Sequence, residues 1–113
     1  MIKNIQLFFL FLGASALYAQ DFSKIDIDFD NLNFKETIIP LQKLNNTFPN
    51  NIGVLVRLSA AYHFLSEEAD EKKVEKLNMD KALGYIVEAM SIDSTNAQVH
   101  KWYAVSYGKS VEN

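Results

Sequence analysis

The strongest constraint on the fold is a recurrence of helix-spaced apolar stripes separated by short turn signals. Between Ile52 and Ser66, the residues Leu55, Leu58, Ala61, Tyr62 and Leu65 fall on one stripe, and no breaker follows Gly53. Upstream, Phe34 to Asn46 carries Ile38, Leu41 and Leu44 and stops at Phe48-Pro49-Asn50-Asn51, which reads as a helix and a turn. Pro40 complicates this segment. Its ring clashes with the carbonyl of Glu36 and disfavours helix at Ile39, so the helix is expected to kink at Pro40 or to begin there.

Downstream, Asp80 is placed to cap a helix from Lys81 to about Ile92, with Ala82, Leu83, Ile86, Ala89 and Met90 forming its apolar stripe. Ser94-Thr95-Asn96 then turns the chain into a last helix, Ala97 to about Lys109. That helix carries Val99, His100, Trp102, Tyr103, Val105 and Tyr107, is apolar on more than one face, and expects neighbours on both sides. Two segments are less regular. Asp21 to Leu32 alternates like a strand at Ile25, Ile27 and Phe29, yet Phe22, Ile25, Phe29 and Leu32 recur at helical spacing, and a short helix is expected. Glu67 to Asp80 is rich in both signs of charge and reads as a solvated stretch that lengthens the preceding helix or loops outward.

Helical pairs joined by short turns invite comparison with the tetratricopeptide template of about 34 residues. Leu55, Leu58, Ser59 and Tyr62 take the large, large, small and aromatic places of a first helix, and Ala82, Ile86 and Ala89 take the packing places of its second. Ser94 stands where proline is usual. His100, Tyr103, Ala104 and Tyr107 then repeat the first-helix places, with the excess over the period absorbed in the charged stretch, where an insertion costs little. Phe34, Thr37, Leu41, Leu44 and Pro49 match the second helix of a preceding unit, whose first helix is poorly marked. The fold class expected is all-α, antiparallel helix pairs of tetratricopeptide-repeat type in a short α-solenoid.

VRLSAAYHFL (Val56 to Leu65), the charged insertion, KALGYIVEAM (Lys81 to Met90) and HKWYA (His100 to Ala104) together resemble the regulator of microtubule dynamics proteins. The resemblance covers roughly residues 50 to 107. It implies several helical-repeat units and, in eukaryotic members, association with microtubules, spindle poles and organelle membranes. Measured against that family, this chain ends just after a helix that packs on further helices, so the domain over 20–113 is expected to be incomplete at its carboxyl end.

The first nineteen residues follow the plan of a secretory signal: Lys3, an apolar run from Ile5 to Leu12, then the small residues Gly13, Ala14, Ser15, Ala16 and Ala19. Cleavage is expected after Ala19 or Ala16. The rival reading, a membrane anchor, has only the fifteen residues Ile5 to Ala19, short of the roughly 20 that span a bilayer. The leader resembles those of Gram-negative bacteria, which points to a periplasmic or secreted protein. Without a cysteine there is neither a lipoprotein anchor nor a disulfide, so stability must come from packing or from a partner. Loss of Lys3 leaves a formal charge of −4, which disfavours nucleic acid and other polyanions.

The search for chemistry returns little. His63 and His100 lie on different helices, neither is read as half of a helical ligand pair, and both are assigned packing roles. Asp26, Asp28 and Asp30 open like a calcium loop, but Asn31 replaces its glycine and Thr37 its bidentate glutamate. Trp102, Tyr103 and Tyr107 are packing surface rather than an aromatic cage. No nucleophile elbow, phosphate loop or dinucleotide fingerprint is present, so neither an enzyme nor a cofactor is expected. Asn45-Asn46-Thr47 makes Asn45 a glycosylation acceptor in a cell that glycosylates.

The function expected is a non-catalytic, exported protein-binding module that acts as adaptor or assembly factor. Repeat architecture places a peptide or protein partner on the face of Val56, Ala60 and His63, continued by Lys101 and Val105. Self-association through Trp102 and Val105 is a further expectation, because repeat arrays need about three units to stand alone. The alternative is a microtubule-associated regulator with the amino-terminal run as its membrane anchor.

Overall fold

The computed structural model describes residues 22–112, and the expected signal segment, 1–19, lies outside them. Five helices make up the described chain: α1 over 22–30, α2 Phe34–Thr47, α3 Ile52–Glu68, α4 Lys72–Ile92 and α5 Ala97–Glu112. The fold is all-α, a short solenoid-like stack of packed helix pairs.

Residues 22–30 are helical because that conformation puts Ile25, with Phe22 and Phe29 beside it, against Leu41, Val54 and Leu58. A strand would place Ile27 on the same side as Ile25, and Ile27 is exposed. The helix ends in a paired 6→1 and 5→2 arrangement: Asn33 N–H donates to the Asp28 carbonyl at 2.8 Å and Leu32 N–H to the Phe29 carbonyl at 3.0 Å. Leu32 occupies the left-handed position usually held by glycine, at φ 62°. These residues thus supply the first helix of the pair that α2 completes.

α2 begins at Phe34 and continues through Pro40, so it does not start at the proline. The penalty of an interior proline, about 3 kcal/mol, is offset by the burial of Phe34, Thr37 and Leu41 on both sides of it. The Thr37 hydroxyl donates to the Phe34 carbonyl at 2.6 Å, which satisfies the one polar atom that this face buries. The turn that follows holds Asn50 at φ 66°, a conformation asparagine tolerates, and Asn51 caps α3 by accepting from Val54 N–H at 3.1 Å.

α3 is the central element. Ten of its residues are buried, among them Leu55, Leu58, Ser59, Ala61 and Tyr62. Gly53 admits the ring of Phe22, since a Cβ there would stand 2.9 Å from that ring. One side of α3 packs with Ile25, Leu41 and Ala82, and the other with Ile86, Ala89 and Val99. Between α3 and its neighbours, the buried Ser59 hydroxyl donates to the Ala82 carbonyl at 2.7 Å and lies 3.5 Å from the buried Ser106 hydroxyl. A small residue lets the backbones approach, and its hydroxyl is satisfied there.

The charged stretch differs from expectation. Asp80 caps nothing: it lies exposed in the interior of α4, which starts eight residues earlier, with Glu71 at its N-cap. Residues 72–79 are strong helix formers for the most part, and they carry Met79, 1% exposed, into the core. Glu75 stands 3.9 Å from Lys72 in the same helix and 3.7 Å from Lys109 of α5. Most side chains of the insertion are solvated, as expected, and Glu67 and Glu68 lengthen α3, but the rest is a two-turn extension of α4 rather than a loop. Asn96 caps α5, accepting from Gln98 N–H at 2.9 Å and Val99 N–H at 3.2 Å. Helices α3 and α5 run slightly past the ends expected of them, to Glu68 and Glu112.

Candidate functional site

The odd-numbered helices bring their side chains to one groove. A cavity of about 270 Å³ is lined by Asp26 and Phe29 of α1, Val56, Arg57, Ala60 and Phe64 of α3, and Gln98 and Trp102 of α5. Its aromatic wall is continuous. Phe29 lies 5.9 Å from Phe34, Phe34 stacks on Phe64 at 4.5 Å, and Phe64 meets Trp102 edge-on at 5.7 Å. Three of these rings, Phe29, Phe64 and Trp102, line the cavity, and the buried Phe34, outside the lining, joins Phe29 to Phe64, so the aromatic surface has little rotamer freedom left to lose.

The rim is charged but internally neutralised. Arg57 donates to Asp26 through Nε at 2.8 Å and Nη2 at 3.0 Å, a bidentate pair, and its Nη1 donates to the Gly53 carbonyl at 3.1 Å. The Phe22 ring lies 3.8 Å from the guanidinium carbon. Arg57 is therefore spoken for on every side, and it fixes α1 against α3 more than it advertises positive charge. Lys101 stands 5.4 Å from the Trp102 ring, outside the cavity lining.

Of the residues assigned to this face from sequence, Val56 and Ala60 line the cavity, and both are nearly buried at 9% and 6% exposure. His63 does not line it; its ring packs edge-on against Trp102 at 5.8 Å. Lys101 and Val105 are exposed and also lie outside the lining. In their place α5 contributes Gln98 and Trp102. The expected pair has the same four-residue interval but sits three positions too far along the helix. Phe64, four residues beyond Ala60, and Arg57, next to Val56 on α3, are not singled out by the apolar stripe, and Asp26 and Phe29 are not because the first helix is poorly marked. Trp102, expected to need a neighbouring molecule, finds Phe64 and His63 within its own chain.

The packing residues divide sharply. Leu55, Leu58, Ser59, Tyr62, Ala82, Ile86 and Ala89 are all buried. Their counterparts on α5 are not: His100, Ala104 and Tyr107 are exposed, and Tyr103 is half-buried beside the Leu55 cluster and stacks on Tyr107 at 5.9 Å. Among the described residues no further helix covers those places. Asn45 is half-buried in the last turn of α2.

His63 does have an acidic neighbour one turn on, a pairing overlooked in reading the sequence. Its Nε2 lies 3.1 Å from Glu67 Oε1, at i,i+4 spacing, and its Nδ1 is buried with no partner among the described residues. The two do not make a metal site, and no group of three His, Cys, Asp or Glu side chains capable of holding an ion occurs among the described residues. His100 Nε2 meets the Ser94 carbonyl and so braces the turn before α5. No described helix is long and apolar enough to cross a membrane.

Comparison with known proteins adds one match. The family model for regulator of microtubule dynamics protein 1-3 matches residues 21–112. No curated protein and no solved structure matches.

Proposed function

The chain belongs to the regulator of microtubule dynamics protein 1-3 family, and on that footing we propose that it is a non-catalytic, exported binding module of tetratricopeptide type whose α1–α3–α5 groove holds a protein partner. The observation that carries the reading is the cavity lined by the aromatic rings of Phe29, Phe64 and Trp102 together with Val56 and Ala60. A preformed apolar recess with a neutralised rim suits an apolar side chain presented on a peptide or helix. The one carboxylate in its lining, Asp26, is engaged in the bidentate pair with Arg57, which favours binding over turnover.

The test must separate binding from folding. Aspartate at Val56 or Ala60 would attack the core as much as the groove, since both are nearly buried. A photo-crosslinking residue at exposed Gln98, used in the cells that make the protein, reports the groove without entering the core. The expected result is a discrete adduct at position 98, absent when the crosslinker sits at Lys73 on α4. Equal adducts at both positions would remove the groove from consideration.

The second reading rests on the family match: a microtubule-associated role, with the amino-terminal run as anchor. Cosedimentation with assembled microtubules at ordinary salt supports that reading, and an unchanged supernatant fraction removes it.

A further inference from the structure

A second cleft, of about 300 Å³, lies between α2 and α4 on the side formed by the even-numbered helices, lined by Gln42, Tyr62, Lys81, Gly84, Tyr85 and Glu88. Its floor is a pair of tyrosines, Tyr62 stacked on Tyr85 with centroids 5.9 Å apart. Three features there leave recognition capacity open to the cleft. Gly84 sits in the middle of a 21-residue helix, yet a Cβ at that position would meet nothing within 4 Å. Glycine in such a place weakens the helix, and the bare backbone faces the cleft. Lys81 lies 5.2 Å from the Tyr62 ring centroid, and neither it nor Glu88 has an ion-pair partner among the described residues. The Tyr62 hydroxyl accepts from Gln42 Nε2 at 3.3 Å, while its own hydrogen has no acceptor among the described residues.

These features have a polarity. Lys81 and Glu88 are seven residues apart on α4, about 10 Å along the helix axis, with Gly84 between them. An extended chain covers that distance in about three residues. We propose that this cleft binds the carboxyl terminus of an extended peptide: the terminal carboxylate takes Lys81 Nζ and the Tyr62 hydroxyl, and the backbone lies over Gly84. The terminal side chain is apolar, resting on Tyr85, and a basic side chain three positions upstream faces Glu88. Burial and the neighbouring Tyr85 push the Tyr62 phenol up from its ordinary value, so it stays protonated and able to donate at neutral pH. The charges point the ligand one way only, since reversal would set carboxylate against Glu88 and the basic group against Lys81.

The probe is acetyl-Lys-Ala-Ala-Phe with a free carboxylate, titrated into the isotope-labelled protein while the backbone amide resonances of 81–88 are followed. Saturable shifts centred on those residues are expected, with affinity falling at least tenfold when the peptide is amidated and severalfold when its lysine is replaced by alanine. Gly84→Ala should raise the melting temperature and abolish the shifts, because the new methyl occupies only space the peptide needs. Tyr62→Phe should weaken binding severalfold with the fold intact. Absence of saturable shifts, equal binding of acid and amide, or full binding by Gly84→Ala overturns the proposal; loss of the lysine without effect overturns the pairing with Glu88.

Discussion

Two residues hold conformations that their side chains do not favour, and they do so in opposite senses. Leu32 is in the left-handed region at φ 62° with 69% of its surface exposed, so it bears steric strain of about 1–2 kcal/mol and returns little packing. Gly84 is in an ordinary helical conformation where alanine would suit the chain better by about 1 kcal/mol. Leu32→Gly and Gly84→Ala should therefore each stabilise the fold, by up to about 1 kcal/mol, read as a higher denaturant midpoint at unchanged slope. A destabilised Gly84→Ala would show that the backbone there is not free to carry a methyl group. Asp93 is a third local device. Its carboxylate accepts from the Thr95 hydroxyl at 2.7 Å and from Thr95 N–H at 2.9 Å, and these bonds hold its pKa below the ordinary value of 3.8. A depressed carboxyl pKa means that the contribution of this turn is complete above the ordinary value and disappears as pH falls through the lower, folded one. Thr95→Ala should raise the Asp93 midpoint toward 3.8, followed by its side-chain carbon resonance; an unmoved midpoint would assign the shift to some group other than the hydroxyl.

Among the elements, α3 and α5 were legible because their turns carry their own chemistry: Asn51 and Asn96 both act as caps, directly after segments that break periodicity. The start of α4 was misread because Asp80 looks like a cap and the residues before it look solvated. The stripe itself held the answer. Met79, Ala82, Ile86 and Ala89 follow one another at intervals of three, four and three, so an apolar face extends back past Asp80. Charge alone does not distinguish a loop from the outer face of a helix, and the discriminating residue is the one apolar side chain that the stripe requires. Truncation makes this concrete. Met79→Ala should cost about 2–5 kcal/mol, since the side chain is 1% exposed, whereas Leu77→Ala, at 54% exposure, should change stability by no more than about 0.5 kcal/mol. Equal small effects would mean that the first turns of α4 are not packed. Of the face expected from sequence, Val56 and Ala60 line the cavity and Lys101 and Val105 do not, because α5 is apolar on more than one face and periodicity by itself does not rank them.

For the molecule as a whole, stacked helices share interfaces only with near neighbours, and stability is distributed accordingly. α3 contacts α2, α4 and α5, and buries ten residues; α5 buries only Val99 and Ser106. Trp102 and Tyr103 are half-buried against the core, while Val105 at 36%, Tyr107 at 51% and Val111 at 65% face solvent among the described residues. A structure built this way opens from its less buried end before it unfolds globally. Native-state hydrogen exchange in the dilute protein should therefore show protection greatest in α3, intermediate in α2 and α4, and least in the last two turns of α5. The same experiment at high concentration tests whether copies of the chain cover the free stripe on α5. Self-association would raise protection at 104–111 with assembly, by mass action, and would raise it in α3 too, because association stabilises the native state against global opening. Protection that is uniform from α3 to α5 at every concentration would instead mean that the helices unfold as one unit, and that the exposed stripe costs the fold nothing.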